Sequence, residues 1–385
     1  MRVLILGGDG YLGWPTAMYL SKKGHDVGIV DNMIKRFWEA EVGSEPLIPI
    51  KPLHSRVKKW KEITGIEIPI FVGDIAQNYR FLHKTITEFK PNAVIHYAEQ
   101  PSAPFSMIDR DKCVHTQQNN VIGTLNLMFA IQGVDPKIHL IKLGTMGEYG
   151  TPNIDIEEGW LELEHKGRVD RVLYPKKPHS FYHLSKVHDS ANLEFICRVW
   201  GSRVTDLNQG AVYGIDTEET LLDEDLATSF HYDSIFGTVL NRFICQAVTG
   251  NPLTVYGKGE QTRGFLNILD TLRCVELAME NPAKNGEFRV FNQFTEQFSL
   301  NQLAEKVQFA YSELGEKATI NHINNPRTEE ENHYYNAVHS ALPDLGLIPN
   351  LLTNDVLINM LKTASRYIDR VDTDVLMPNV KWNQK

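Results

Sequence analysis

The segment that most restricts how this chain can fold is its first thirty-two residues, MRVLILGGDGYLGWPTAMYLSKKGHDVGIVDN. Val3, Leu4, Ile5 and Leu6, with Met1 before them, make an apolar run without alternation, the pattern of a central parallel strand covered on both faces. Gly7, Gly10 and Gly13 follow. The first permits a sharp turn, the second a close approach of backbone to a pyrophosphate, and the third the packing of a helix, starting at about Tyr11, on the sheet. A second apolar strand, Val27 to Val30, ends in Asp31, eighteen residues after Gly13. Strand, glycines, helix, strand and acid in this register predict a dinucleotide site, with phosphates at the helix N-terminus and Asp31 accepting hydrogen bonds from an adenosine ribose. Asp31 would repel a 2′-phosphate, so NAD is expected over NADP, with Lys35 and Arg36 standing nearby.

A chain of 385 residues that is 42% hydrophobic can bury a large core, and two lobes are expected. The net charge of −9 argues against a non-specific nucleic-acid or anionic-membrane partner. Cys113, Cys197, Cys245 and Cys274 form no C-x-x-C pair, so they read as reduced thiols, with neither disulfide nor metal site expected. No apolar run approaches membrane-spanning length. Residue 2 leads straight into the first strand, so no leader is expected and the location is read as cytoplasmic, or plastid stroma if a leader has been removed.

Along the chain, Met33 to Gly65 is long for a connection between such strands, and its second half, HSRVKKWKEITG, sets Val57, Trp60 and Ile63 on one side of an amphipathic helix. Strand three is expected over Ile66–Val72, delivering Asp74 and Ile75 towards adenine. A helix over Tyr79–Phe89 and strand four over Ala93–His96 follow, and Tyr97, Ala98 and Gln100 should face the cofactor beyond the strand end. Cys113 to Val134 reads as one long helix with Asn119 in mid-helix, where its side chain competes with the backbone. Strand five, Ile138–Leu143, delivers Thr145 to the same edge. WLELEH, Lys166-Gly167 and RVDRVL predict a hairpin. Val204–Leu207 reads as strand six, and Val290–Asn292 as a return to the sheet.

Tyr182 and Lys186 are four apart and share a helix face. A nearby ammonium favours the phenolate and lowers a phenol pKa of about 10. The pair can then take a proton from a sugar hydroxyl while hydride leaves its carbon for the nicotinamide.

The glycine triplet, Asp31, Gly73-Asp74-Ile75, Thr145 and Tyr182-x-x-x-Lys186 resemble the extended short-chain dehydrogenase/reductase family that modifies nucleotide sugars. GGDGYLGW, SMIDR, NNVIGTLN, KLGTMGEYGTPNIDIEEG, SFYHLSKVHDS, LTVYGKG and GEFRVFNQFTEQFS narrow the resemblance to members that join sulfite to UDP-glucose, over nearly the whole chain. The implied fold is α/β, a doubly wound parallel sheet of Rossmann type with a second, smaller α/β substrate domain. The first is expected over residues 1–207 with returns at about 236–250 and 264–293, the second over 208–235, 251–263 and 294–385.

The resemblance implies tightly held NAD, with UDP-glucose and sulfite, or a protein sulfite donor, as partners, and a homodimer or higher homo-oligomer. The implied path is oxidation at carbon 4, loss of water across carbons 5 and 6, sulfite addition at carbon 6 and re-reduction. Catalysis is expected from Thr145, Tyr182 and Lys186, with His183 as acid and Glu148 as base at carbon 5 or as a structural loop acid. Tyr11, Leu12, Asn32, Gln209 and Val212 join Gly7, Gly10, Gly13, Asp31, Arg36, Asp74, Ile75, Tyr97, Ala98, Gln100, Asn119, Tyr182 and Lys186 at the cofactor. Thr145, Tyr182, Asn208, Gln209, Thr238, Arg242, Val255, Tyr256, Gln261, Arg263 and Arg327 are expected around the UDP-sugar, the arginines as forks for diphosphate.

The 4,6-dehydratases of the family carry an acid directly after the threonine, whereas this chain has Met146-Gly147. Plant-type members carry arginine where this chain has Pro101, so sulfite guidance falls to Gln100, Ser102 and His183. A 4-epimerase or 4,6-dehydratase is the alternative within enzymes, and a non-catalytic NAD-binding sensor or scaffold the alternative outside them.

Overall fold

In the computed structural model, which describes residues 1–327, 334–378, 380 and 382, the chain forms strands β1 (Arg2–Leu6), β2 (Asp26–Asp31), β3 (Ile70–Val72), β4 (Ala93–His96), β5 (His139–Thr145), β6 (Trp160–His165), β7 (Arg168–Leu173), β8 (Arg203–Gln209), β9 (Ala211–Tyr213), β10 (Leu253–Tyr256), β11 (Thr262–Asn267), β12 (Phe288–Gln293), β13 (Glu296–Ser299) and β14 (Ile320–Ile323). Seven of them make one parallel sheet in the order β12-β8-β5-β4-β1-β2-β3. The order reverses between β1 and β4, so their carboxyl ends flank the crevice where doubly wound sheets bind ligands. Val3 and Ile5 pack on one face of the sheet with Trp14 and Met18, and Leu4 and Leu6 on the other with Leu82 and Ile86. That division explains the unbroken apolar run.

Gly7 has φ +88° at the end of β1, and a Cβ there would stand 2.7 Å from the Tyr97 and Ala98 backbone. The helix packed behind it runs Gly13–Lys22, slightly later than expected. The long connection after β2 holds two helices, Ile34–Val42 and Leu53–Thr64. The second buries Leu53, Arg56 and Trp60 while Ile63 is exposed, because the helix turns its Arg56 edge towards the glycine loop. The helix Tyr79–Phe89 and β4 have the expected bounds. The expected helix Cys113–Val134 is instead Arg110–Gln117 and Gly123–Val134 joined by a π-helical turn over Gln118–Ile122. Such wide turns concentrate at functional sites. The hairpin β6–β7 pairs Trp160 with Leu173 through His165 with Arg168, its turn made by Lys166 (φ 52°) and Gly167 (φ 74°).

A second core gathers the helices Val239–Val248, Leu300–Glu313 and Asn354–Arg366 through Phe243, Ile244, Leu303, Val307, Leu357 and Leu361, against the parallel pair β10–β14. The segment 236–250 was expected with the dinucleotide-binding part, but its helix buries its apolar side in this second core. Leu47 and Ile48 reach into the same core, whereas Leu342 and Leu347 pack back onto the sheet. Between the cores, β11 bridges β9 and β13.

Candidate active site

A cavity of about 450 Å³ opens at the carboxyl ends of β1, β2 and β4, lined among others by Gly7, Gly10, Asp31, Asn32, Arg36, Ile75, Tyr97, Ala98 and Asn119. The Asp31 carboxylate accepts from Asp9 N (2.8 Å) and Met33 N (2.6 Å), and burial raises its pKa. Asn32 donates to Asp74 Oδ2 at 3.0 Å, and Asp74 Oδ1 caps the turn by accepting from Ala76 N and Gln77 N. Asp9, between the glycines, accepts from Arg36 Nε (2.7 Å) and Arg56 Nη2 (2.5 Å), so Arg36 reaches the cavity wall as half of an ion pair. The bent backbone at Gly7 and an acid at the end of β2 are what a dinucleotide requires, and the lining residues fit NAD. Lys35, Glu39 and Ser44 also line this cavity, from the long connection that pattern alone left without a role.

Other expected cofactor residues lie off the cavity. Tyr11 donates to Gly214 O at 2.7 Å, and it packs with Leu12 against Val212, Leu266 and Ile268. Gln100 is fully buried, its N–H on Asn120 Oδ1 (2.7 Å) and its amide on Ser102 O (3.1 Å). Ser102 caps the short helix behind it and donates to Ile235 O. Gln100 and Ser102 thus hold the loop after β4 in place. Gln209 donates to Gln293 Oε1 at 3.1 Å.

The helix Phe181–Trp200 brings the dyad to the edge of β5, with Ser180 as N-cap. Thr145 favours the ionised form of the Tyr182 phenol, and its Oγ1 accepts from Gly147 N at 3.2 Å. Lys186 donates to Leu143 O at 2.7 Å and pairs with Glu99. Burial lowers the Lys186 pKa to about 8 against the pull of Asp189 and Asp206. The Tyr182 phenol is raised, not lowered as the spacing implied, because loss of water outweighs Lys142, its chief cationic neighbour. Asn120, which sequence reasoning passed over in favour of Asn119, donates to Ser185 Oγ (2.9 Å) and Gln100 O (3.1 Å). The π-turn is what lets both asparagines point inward, Asn119 to the cavity and Asn120 to the catalytic helix.

A second cavity of about 70 Å³ is lined by Met146, Gly147, Gly150, His179, His183, Arg263, Arg327, Tyr335 and Trp382. His183 Nδ1 meets Ser180 Oγ at 3.0 Å, and a Cβ on Gly147 would fall 2.3 Å from His183 Nε2, so a side chain there would displace the imidazole. Glu148 lines neither cavity: it is fully buried, paired with Lys176 and accepting from Ser190 Oγ (3.0 Å). That placement supports the structural alternative over a base at carbon 5.

Of the remaining substrate residues, Arg242 donates to Tyr256 Oη (2.7 Å) and Thr254 O (3.1 Å), Gln261 donates to Tyr256 O (3.0 Å), and Asn208 donates to Tyr149 Oη (3.0 Å). Thr238 is an N-cap and Val255 lies in the second core. These side chains are used within the fold and line neither cavity, whereas Arg263 and Arg327 line the small one.

A Rossmann sheet with a Thr-Tyr-Lys edge is the arrangement of an NAD-dependent enzyme of the short-chain dehydrogenase/reductase type. The chain belongs to the NAD dependent epimerase/dehydratase family, whose model matches residues 3–292. It is 56% identical over 383 residues to the chloroplastic UDP-sulfoquinovose synthase of Spinacia oleracea, covering all of this chain and 79% of that protein. It is 45% identical over 388 residues to the UDP-sulfoquinovose synthase of Sulfolobus acidocaldarius, covering 98% of it. The fold matches the crystal structure of UDP-glucose 4-epimerase from Thermus thermophilus in complex with NAD, with TM-score 0.65 and 21% identity over 94% of this chain and 99% of that one. It also matches UDP-glucuronic acid 4-epimerase from Bacillus cereus, with TM-score 0.69 and 19% identity over 96% and 99%.

Proposed function

We propose that the protein is a UDP-sulfoquinovose synthase, converting UDP-glucose and sulfite, free or handed over by a protein donor, to UDP-6-sulfoquinovose. The observation that carries the reading is the His183 imidazole standing over Gly147, beside Thr145, where the dehydratases carry a carboxylic acid. The two relatives named above support it over the full chain.

NAD, which Gly7, Gly10, Asp31 and Asn119 would hold in the large cavity, would supply the acceptor for a hydride from carbon 4 of the sugar and the donor for its return. Thr145 Oγ1 positions the 4-oxygen, and Tyr182 takes its proton. The ketone acidifies the hydrogen on carbon 5; His183 takes that proton and passes it to the hydroxyl on carbon 6, which leaves as water as the 5,6 double bond forms. Bisulfite then adds through sulfur at carbon 6, its proton going to carbon 5, and the returning hydride at carbon 4 is matched by the proton that Tyr182 gives back to the 4-oxygen. The arginines of the small cavity, Arg263 and Arg327, hold diphosphate, and its Gly147–His183 end is where sulfite meets the sugar. In this reading the seven-stranded sheet carries NAD and the second core carries the nucleotide sugar.

Mass spectrometry of the product formed from UDP-glucose and sulfite tests the assignment. A sulfonated UDP-hexose is expected. UDP-galactose, or a 4-keto-6-deoxy sugar formed whether or not sulfite is present, would replace it with an epimerase or dehydratase.

A further inference from the structure

The catalytic lysine has a counter-ion that its motif does not contain. Glu99 follows β4 by three residues, lines the large cavity and keeps its side chain only 3% exposed. Its carboxylate touches Lys186 Nζ, and it has no other donor among the described residues. A buried carboxylate held by one ammonium neutralises much of that ammonium's field. Lys186 Nζ lies 5.7 Å from the centre of the Tyr182 ring, so the phenol feels the pair rather than a bare cation.

The other acids around the dyad face other lysines, two of them sharing one. Lys142 from β5 faces Asp206 of β8 (3.6 Å) and Asp189 of the catalytic helix (3.9 Å), all three fully buried. Glu148 is paired with Lys176, and Ser190 Oγ ties Glu148 to Asp206 at 3.0 Å each. His96 of β4, facing Lys186 and Lys142, is held neutral by burial. Within this set, Glu99 is the acid in contact with Lys186.

We infer that Glu99 is a positioning residue that withholds part of the Lys186 charge from Tyr182, so that the tyrosine can return a proton to the sugar as well as take one. The inference rests on the proposed function, in which the hydride taken from carbon 4 comes back. A phenol whose proton affinity was pushed too low would be a good base for the first half and a poor acid for the second. With Glu99 in place, the phenol keeps the raised proton affinity that burial gives it and so stays an effective acid for the second half.

The test is a titration of the Tyr182 phenolate by ultraviolet difference absorbance, protein minus Tyr182→Phe, in the NAD-loaded protein without sugar. Glu99→Gln removes the opposing charge, and the phenolate midpoint falls by about one pH unit or more, a tenfold change in proton affinity. Glu99→Asp keeps the charge at a greater distance and shifts the midpoint in the same direction by less. With UDP-glucose and sulfite, Glu99→Gln holds a larger steady fraction of reduced nicotinamide than wild type and forms product more slowly. An unchanged midpoint in either variant overturns the inference, and Glu99→Asp serves that purpose if Glu99→Gln does not fold. Because the titration uses no sugar, it stands or falls independently of wild-type turnover, whose failure with UDP-glucose would instead overturn the proposed function.

Discussion

The Asn120 amide donates to Ser185 Oγ at 2.9 Å while its Oδ1 accepts from Gln100 N at 2.7 Å, tying the loop after β4 to the residue that precedes Lys186. One side chain thus sets the distance between the cofactor loop and the catalytic helix. Asn120→Leu strands the Gln100 backbone N–H in a buried site, a cost of about 1–3 kcal/mol. The expected result is a lower melting temperature and a kcat reduced about tenfold or more, since small misplacements of reacting groups are costly. The KM for UDP-glucose should change less, and steady-state kinetics beside a thermal melt check the split.

Arg56 holds the glycine loop from below. Fully buried over the Trp14 ring, it donates to both the backbone O and Oδ1 of Asp9. Arg56→Met leaves Asp9 with Arg36 alone, and breaking one side of a buried pair costs about 3–5 kcal/mol. Urea denaturation should show that loss, and the purified variant should carry less NAD. A variant of wild-type stability and full NAD content would remove Arg56 from the support of the loop.

Acid sensitivity should centre on Glu39. Burial opposes its charge, but His231 (2.9 Å) and Lys35 hold it charged and depress its pKa from 4.5 to about 2; Asp233 is likewise depressed to about 2, with His231 and Ser44 on it. A folded pKa below the unfolded one gives stability that is complete above the unfolded value and is lost as pH falls from 4.5 towards 2. The Glu39 share is on the order of 2–3 kcal/mol. His231→Ala should lower stability on the plateau above pH 4.5, where the Glu39 share is fully present, and flatten its loss towards pH 2, as followed by denaturation at a series of pH values.

Glu148 and His183 separate structure from chemistry. Glu148→Gln leaves Lys176 buried without its carboxylate, so the melting temperature should drop sharply while solvent exchange at carbon 5 of the sugar survives in the folded fraction. His183→Ala should fold normally and reduce bound NAD with UDP-glucose, yet eliminate water slowly. Deuterium exchange at carbon 5 and product mass spectra distinguish the two, and exchange lost in Glu148→Gln but intact in His183→Ala would exchange their roles.

Tyr182→Phe and Lys186→Ala should abolish the reduction of bound NAD by UDP-glucose, read as nicotinamide absorbance, without loss of the nucleotide. Lys186 lowered to about 8 should make first-turnover reduction sensitive to alkaline pH, because its charge is present below that value and lost above it. A flat profile through pH 8 would show that bound ligands hold the lysine charged.

The sequence by itself determined whatever is written in local periodicity and turn chemistry. The unbroken run of β1, the glycine turn, the Tyr79–Phe89 helix, the Lys166-Gly167 hairpin and the four-residue spacing of Tyr182 and Lys186 each depend on neighbours within a few positions. They were readable because backbone geometry and side-chain period are local properties. Only the tertiary structure decided which charges meet. Arg242 is expected on a diphosphate and spends its nitrogens on Tyr256 and Thr254, while Glu99, to which the sequence assigns no role, reaches Lys186 eighty-seven residues on. Asn120 rather than Asn119 ties the helix because the π-turn changes the phase of the side chains. A buried charge takes as partner whichever opposite charge the packed elements bring within a few ångströms, and that depends on how sheets and helices stack, not on spacing along the chain.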